Sequence, residues 1–406
     1  MSRIYAKSEN MIAKTSNYSI EPGEAWGEKC FTNDGASGDV KFTLPTAVAG
    51  QKVTFIVAED FRLEIEAASG DTIFIASGLD LGSVYSQTKG SILVMYCINA
   101  TEWICIDEHD SWSDAATRGL FGAGVTGGGE SNVIDYVQIG TLGNATDFGN
   151  LTVSRSNRGS FASSTRAIWA GGGETVTNVI EYVTIATIGS ATDFGDMITA
   201  RKYVAGCSND TRGLIGGGRE SIAEQNKIDY VTIASAGNAT DFGNLTLARN
   251  YPGALASTTR GVFGGGEGSG GVTNIMDYVT IASAGNATDF GDLSAAKRAL
   301  AGCASSTRGL FGGGYDGSAF NVIDYITIAT TGNTTDFGDL TVATRELAGC
   351  SSNIRGLFAG GRDTGNYVNR IEYVTIATTG NSIDFGDLSV GREQLSGCSN
   401  GHGGLA

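Results

Sequence analysis

The sequence is short of histidine, of proline and of positive charge, and each shortage removes a class of function. Among 406 residues there are two histidines, His109 and His402, and neither sits in a recurring constellation. A Ser-His-Asp triad or a histidine-ligated metal centre is therefore hard to assemble. Lys and Arg number 27 against 43 Asp and Glu, a formal charge of −16. With no cationic cluster, non-specific binding to nucleic acid or to anionic membranes is not expected, because phosphate affinity needs clustered Lys and Arg. No apolar run is long enough to span a bilayer, and the opening MSRIYAKSENMIAKTS lacks the apolar core of a secretory signal. The expectation is a chain made in the cytoplasm without membrane insertion. Three prolines against 61 glycines indicate many tight turns, with no Gly-X-Y period.

Seven cysteines are present, but Cys207, Cys303, Cys350 and Cys398 share one repeated position that holds Phe161 and Leu255 in other copies. A site that accepts Phe, Leu or Cys is a buried apolar slot, so these four are expected as reduced core thiols. Cys30, Cys97 and Cys105 lie outside the repeats.

Internal repetition dominates the chain. The segment Thr117-Arg118-Gly119-Leu120-Phe121-Gly122 returns around Arg166, Arg212, Arg260, Arg308 and Arg355, at steps of 48, 46, 48, 48 and 47 residues. A further step of 47 reaches His402. Each unit holds an apolar stretch ending in glycines, a segment such as Asn321 to Ile328, a Thr335-Asp336-Phe337-Gly338 element and a Leu347-Ala348-Gly349-Cys350 element. These pieces are short, rich in β-branched and aromatic residues, and separated by Gly, Asn and Ser, which marks strands. Four strands per unit at this period indicate propeller blades. The first unit lacks a Leu-Ala-Gly-Cys element before it, and the last such element, at Leu395 to Cys398, has no blade after it. A ring closed by the C-terminal strand resolves both deficits and removes exposed edges. Gly403 to Ala406 are then redundant and expected as a frayed tail.

The pattern of paired glycines, Tyr, a later aromatic and a basic residue (Gly265-Gly266, Tyr278, Phe290 and Lys297) resembles the kelch repeat family over about the last 290 residues. Phe replaces the usual Trp, and the gap from Tyr to the aromatic is longer. The resemblance implies a propeller with a binding face. The fold class expected is all-β, a six-bladed kelch-like β-propeller over residues 111–406 with a smaller N-terminal β-sandwich-like domain.

Residues alike in all blades have a structural duty by default. The six arginines of the repeat are expected to form ion pairs with six acid-Tyr pairs, Asp135-Tyr136, Glu181-Tyr182, Asp229-Tyr230, Asp277-Tyr278, Asp324-Tyr325 and Glu372-Tyr373. In the Asp-Phe-Gly elements at Asp147, Asp193, Asp241, Asp289, Asp336 and Asp384, the Asp is expected to cap a turn and the Phe to fill the core between blades. Neither a metal nor another cofactor is expected, since a hard cation needs about 6–8 oxygen ligands. Asn144-Ala-Thr and its copies match the glycosylation sequon, which matters only on a secretory route.

The unlike residues point to function. The loops between the glycine-ended strand and the Asp/Glu-Tyr strand differ in every blade, as do the junctions into each Leu-Ala-Gly-Cys strand. In antiparallel blades both sets emerge on one face, and variation on one rim of a uniform frame suggests a recognition surface. The candidates there are Arg158, Lys202, Tyr203, Arg219, Asn250, Tyr251, Arg298, Tyr315, Arg345 and Arg362. Binding is expected rather than catalysis; a carboxylate-based glycoside hydrolase is the weakest alternative.

Residues 1–21 read as an extended polar arm and 22–110 as a β domain. Alternation gives strands at Val40 to Leu44, Val53 to Val57, Leu63 to Ala67, Thr72 to Ile75, Ser91 to Tyr96 and Trp103 to Ile106, with a hairpin turn at Ala68 to Asp71. The run from Leu44-Pro45 through Gln51 to Phe55, Gly70 to Ile73, Gly90-Ser91 and Thr101-Glu102-Trp103 resembles small β domains of bacteriophage tail-fibre and other virion proteins. That resemblance implies a domain for particle attachment or oligomerisation, in a homo-oligomer such as a trimer. The function expected is a phage virion structural protein, a tail or head fibre or decoration. It would contact virion proteins through its N-terminal domain and a host surface glycan or protein through the propeller. The alternative is a cytosolic kelch-like scaffold that docks another protein.

Overall fold

The computed structural model describes residues 11–405 apart from 26–28, 59–62, 70, 76–78, 82, 87–91, 98–99, 110–112 and 115–116. Two compact units result, Met1–Ala116 and Thr117–Ala406.

In the second unit, each repeat folds into a four-stranded antiparallel blade. Blade 2 runs outward from Gly159–Ala162 through Arg166–Ala170 and Val179–Thr184 to Thr192–Asp196. Blades 3 to 6 follow the same order, with innermost strands Ala205–Ser208, Gly253–Ala256, Ala301–Ala304 and Ala348–Ser351. Blade 1 takes its innermost strand from the far end of the chain, Ser396–Ser399, which pairs with Arg118–Gly122. The Asn400 side chain accepts the Arg118 amide at 2.7 Å, the service that Ser163 performs for Arg166 in blade 2. Closure is therefore a repetition of the ordinary blade in two pieces of chain.

Apolar residues of neighbouring blades share each core cluster, as Leu120 and Phe148 of blade 1 do with Trp169 and Ile185 of blade 2. Within every blade the Phe of the outermost strand meets the Tyr of the third edge to face, at 5.7–6.1 Å between centroids. Such pairs add about 0.5–1.5 kcal/mol beyond their buried area. The Asp before that Phe lies exposed within the outermost strand, as Asp147 does, so it does not cap a turn. Gly149 follows at φ +142°, where a Cβ would come within 2.5 Å of the Gly189 carbonyl of blade 2. The Asn of the sequon is also in use: Asn238 Oδ1 accepts the Asp196 amide of the previous blade at 3.0 Å. Cys207, Cys303, Cys350 and Cys398 are buried free thiols, and burial raises the Cys207 thiol to about 12.

The expected ion pairs form differently. Adjacent strand residues face opposite ways, so an arginine on the Tyr136 side of the sheet cannot meet Asp135. Arg118 instead lies over the Tyr136 ring at 5.1 Å and donates to the Ile185 carbonyl of the next blade at 2.7 Å; the other five arginines repeat this. Five of the six acids pair with cations from the linker that enters the blade, and Glu372 pairs with Arg370 of its own strand. Arg392 reaches Asp135 at 3.1 Å, Arg201 reaches Asp229 at 2.6 Å, Arg249 reaches Asp277 at 3.0 Å and Lys297 reaches Asp324 at 2.8 Å, all with buried side chains.

In the N-terminal unit the chain alternates between two sheets. Met11–Ala13, Cys30–Thr32 and Lys52–Ile56 pair in parallel in one, and Tyr18–Ser19, Val40–Thr43 and Leu63–Glu66 in the other. Phe31, Phe42 and Phe55 are fully buried with centroids 5.5–6.0 Å apart. All six expected strands occur, within sheets of seven and five strands. Two expectations change. Residues 11–13 and 18–19 of the supposed arm are sheet strands. The turn after Leu63–Glu66 leads into the opposite sheet, so it closes no hairpin.

Candidate functional site

The linker entering each blade passes over one end of the central channel, and there one residue per blade adopts a left-handed backbone. These residues are Asn157, Tyr203, Tyr251, Ala299, Glu346 and Gln394, at φ 55–60°. Their backbones form a closed circle: Tyr203 N donates to Asn157 O, Tyr251 N to Tyr203 O, and so on until Asn157 N donates to Gln394 O, at 2.8–3.1 Å. Only Asn among the six tolerates this conformation readily; each of the others costs about 1–2 kcal/mol. The hydrogen-bonded circle and the strands below hold all six in place.

Outside the circle lies a set of separate pairs, each within one blade. Lys202 pairs through its backbone with Arg219, Asn250 with Glu267, Arg298 with Tyr315, Arg345 with Arg362 and Glu393 with Val125. The variable junctions and the variable loops are thus pinned to each other on one face.

Of the ten candidate residues, eight are partly exposed on this face: Lys202, Tyr203, Arg219, Tyr251, Arg298, Tyr315, Arg345 and Arg362. The rings of Tyr203 and Tyr251 stack at 3.9 Å, with Lys202 against the first and Arg298 against the second. Arg345 lies over Tyr315 at 4.3 Å, and Arg362 pairs with Glu393 at 3.2 Å. Two candidates are not available to a ligand. Arg158 is buried on Glu181 and donates to the Gly171 carbonyl at 3.1 Å. Asn250 is 3% exposed, and its amide donates to Glu224 at 3.4 Å.

No family model matches the chain, and no curated protein is significantly similar to it.

Four residues of the inner circle, Asn157, Ala299, Glu346 and Gln394, were not among the candidates. They stood in the variable junctions, but selection by charge and aromatic character favours their neighbours, and a left-handed residue without glycine leaves no mark in the sequence. Their side chains form a polar arc. Asn157 Nδ2 donates to Gln394 Oε1 at 2.9 Å, and Gln394 Nε2 to Glu346 Oε2 at 3.3 Å. Burial, then the hydrogen-bonded Glu393 carboxyl beside it, pushes Glu346 up to about 7. Burial and the neighbouring Tyr203 hydroxyl raise Tyr251.

The circle borders a pocket of about 120 Å³ whose lower wall is the ring Ser160, Gly206, Ala254, Gly302, Gly349 and Gly397. The same six small residues border a lower chamber of about 60 Å³ that ends at His402. The tail expected to fray is folded into the channel as a short 3-10 turn, Gly403–Leu405. His402 Nε2 lies 3.0 Å from the Ala162 carbonyl and 3.3 Å from Ser208 Oγ, and burial lowers its pKa. Among the described residues no three His, Cys, Asp or Glu side chains gather as a metal-binding group.

Proposed function

We propose that the propeller is a binding module rather than a catalyst, and that its ligand engages the variable face around the channel mouth. One observation carries this reading: six positions with one backbone conformation, joined in one circle of hydrogen bonds, hold Asn, Tyr, Tyr, Ala, Glu and Gln. A shared structural duty would favour one residue type six times, as the Tyr-Phe pairs do. Two carboxylates of the outer loops are engaged by cations, Glu267 by Arg298 and Glu393 by Arg362, which removes them as free acids or bases.

The setting proposed is a bacteriophage virion, where the protein is a tail or head fibre or decoration attached through residues 22–110 as a homo-oligomer such as a trimer. Its support is the resemblance of the segment from Leu44 to Trp103 to virion β domains. The receptor proposed is a host surface glycan. The kelch-type spacing of Gly265-Gly266, Tyr278 and Phe290 favours a second reading, a cytosolic scaffold that docks a protein.

A glycan array probed with the intact chain tests the first reading, beside a variant with Arg219–Asn226 and Tyr315–Phe320 replaced by Gly-Ser. Saturable binding that the variant loses is the expected result. No glycan bound, with both proteins folded, refutes the glycan receptor and leaves a protein receptor, a purely structural decoration role or the scaffold.

A further inference from the structure

Around the inner circle the order is Asn157, Tyr203, Tyr251, Ala299, Glu346, Gln394. Tyr203 therefore stands across the mouth from Glu346, and Tyr251 across from Gln394. One half of the mouth is an aromatic wall and the other a polar arc, with a gap at Ala299 where the side chain is a single methyl. Among the residues that line the pocket, Asn157 Oδ1 and Ser396 Oγ are buried acceptors without a hydrogen-bond partner; Arg158, which also lines it, is held by Glu181. Both acceptors belong to the polar side, and both can accept a hydroxyl hydrogen. An unmet buried acceptor is costly unless water or a ligand satisfies it.

The size and chemistry of the pocket narrow the occupant. At about 10–15 Å³ of accessible volume per water, 120 Å³ holds a small cluster of waters. That is the scale of one sugar ring, not of an extended chain. A peptide strand would need free backbone donors and acceptors, yet the amide and carbonyl of each circle residue are already spent on the neighbouring blade. An anionic ligand would meet Glu346 at the polar side. A cationic one entering at Ala299 would pass Arg298 and Arg345. What remains is a neutral ring with hydroxyls on its edge and C–H groups on its faces, which carboxylate, amide and tyrosine side chains together suit.

Building on the glycan-receptor reading, we infer that the channel mouth is an end-on subsite for one uncharged terminal sugar, its hydroxyls held by Asn157, Gln394, Glu346 and Ser396 opposite Tyr203 and Tyr251. The loops outside the circle then contact the rest of the glycan.

Two substitutions test this without disturbing the frame, because sister positions already carry the new residues. Ala299→Tyr closes the gap with the residue that stands at 203 and 251. Glu346→Gln removes the carboxylate in favour of the residue at 394. The probes are the methyl glycosides of glucose, galactose, mannose and N-acetylglucosamine, titrated by saturation-transfer NMR against the full chain. At least one is expected to bind with a dissociation constant on the order of 1 mM, to be lost in Ala299→Tyr and to weaken about tenfold in Glu346→Gln. Array binding that survives Ala299→Tyr but not loop replacement overturns the mouth subsite and leaves the receptor reading standing. Absence of any glycan binding by the unaltered chain overturns both.

Discussion

Glu181 and Glu372 occupy the position that holds Asp135, Asp229, Asp277 and Asp324 in the other blades, and the reason lies in where their cations come from. In four blades the linker supplies Arg392, Arg201, Arg249 or Lys297 at one equivalent position. In blade 6 that position is Thr344, and Arg370 reaches Glu372 from the same strand at 2.5 Å, while also donating to Thr344 Oγ1. In blade 2 the cation is Arg158, three residues beyond the equivalent Arg155, and it meets Glu181 with both side chains buried. The extra methylene of Glu restores contact wherever the guanidinium starts from a different backbone site. Glu181 also accepts Thr152 N and Oγ1, at 2.7 and 2.6 Å, so it holds the incoming linker as well. Glu181→Asp leaves Arg158 charged and buried beyond reach of its partner. Breaking a buried pair costs about 3–5 kcal/mol, and urea unfolding should show a loss of that order. An unchanged midpoint would mean that Arg158 does not depend on Glu181.

At the scale of the strand, the outermost strands explain much of the acidity. Asp147, Asp193, Asp241, Asp289, Asp336 and Asp384 are exposed on the rim of six blades. Phe148 O and Asn150 O already accept Gly189 N and Ala191 N from the loop of the next blade, and charge on such a partly covered edge further blocks association. Replacing these six by valine should leave the fold intact by circular dichroism yet produce aggregates by light scattering. A variant as dispersed as the parent would show that the rim needs no such protection. Strands were the most legible feature of the sequence: the recurring Arg-Gly-Leu-Phe-Gly and Thr-Asp-Phe-Gly pieces placed four per blade, and alternation found six in the N-terminal unit. Partners were less legible. That Arg118 lies over Tyr136 and away from Asp135 follows from register, which the repeat alone does not supply. The turn at Ala68 to Asp71 fits either a hairpin or a crossing to another sheet, and the pairing of Thr72 beside Glu102 rather than with Leu63–Glu66 decides for the crossing.

For the whole molecule, the missing strand of blade 1 and the surplus strand after Leu395 make closure readable in the sequence. The fate of Gly403 to Leu405 was not, because a plug is defined by the space it fills: Gly404 packs so closely on the Ser208 carbonyl that a Cβ there would collide. The candidate site was legible as a face and not as a ring. Loop variation located Arg298, Tyr315 and Arg345, whereas the inner circle depends on φ values and blade-to-blade hydrogen bonds. Six equal blades make a frame whose symmetry is broken by side chains, and we propose that this break at the mouth serves ligand recognition.

The most direct test makes the mouth symmetric. Asn is already present at 157 and tolerates the left-handed backbone, so Tyr203, Tyr251, Ala299, Glu346 and Gln394 can all be changed to Asn with the circle of hydrogen bonds kept. Thermal unfolding and glycan-array binding are then measured on the same preparation. The expected result is a melting temperature equal to or above the parent's, with binding abolished. Full binding by the symmetric variant would contradict it and reduce the inner circle to architecture.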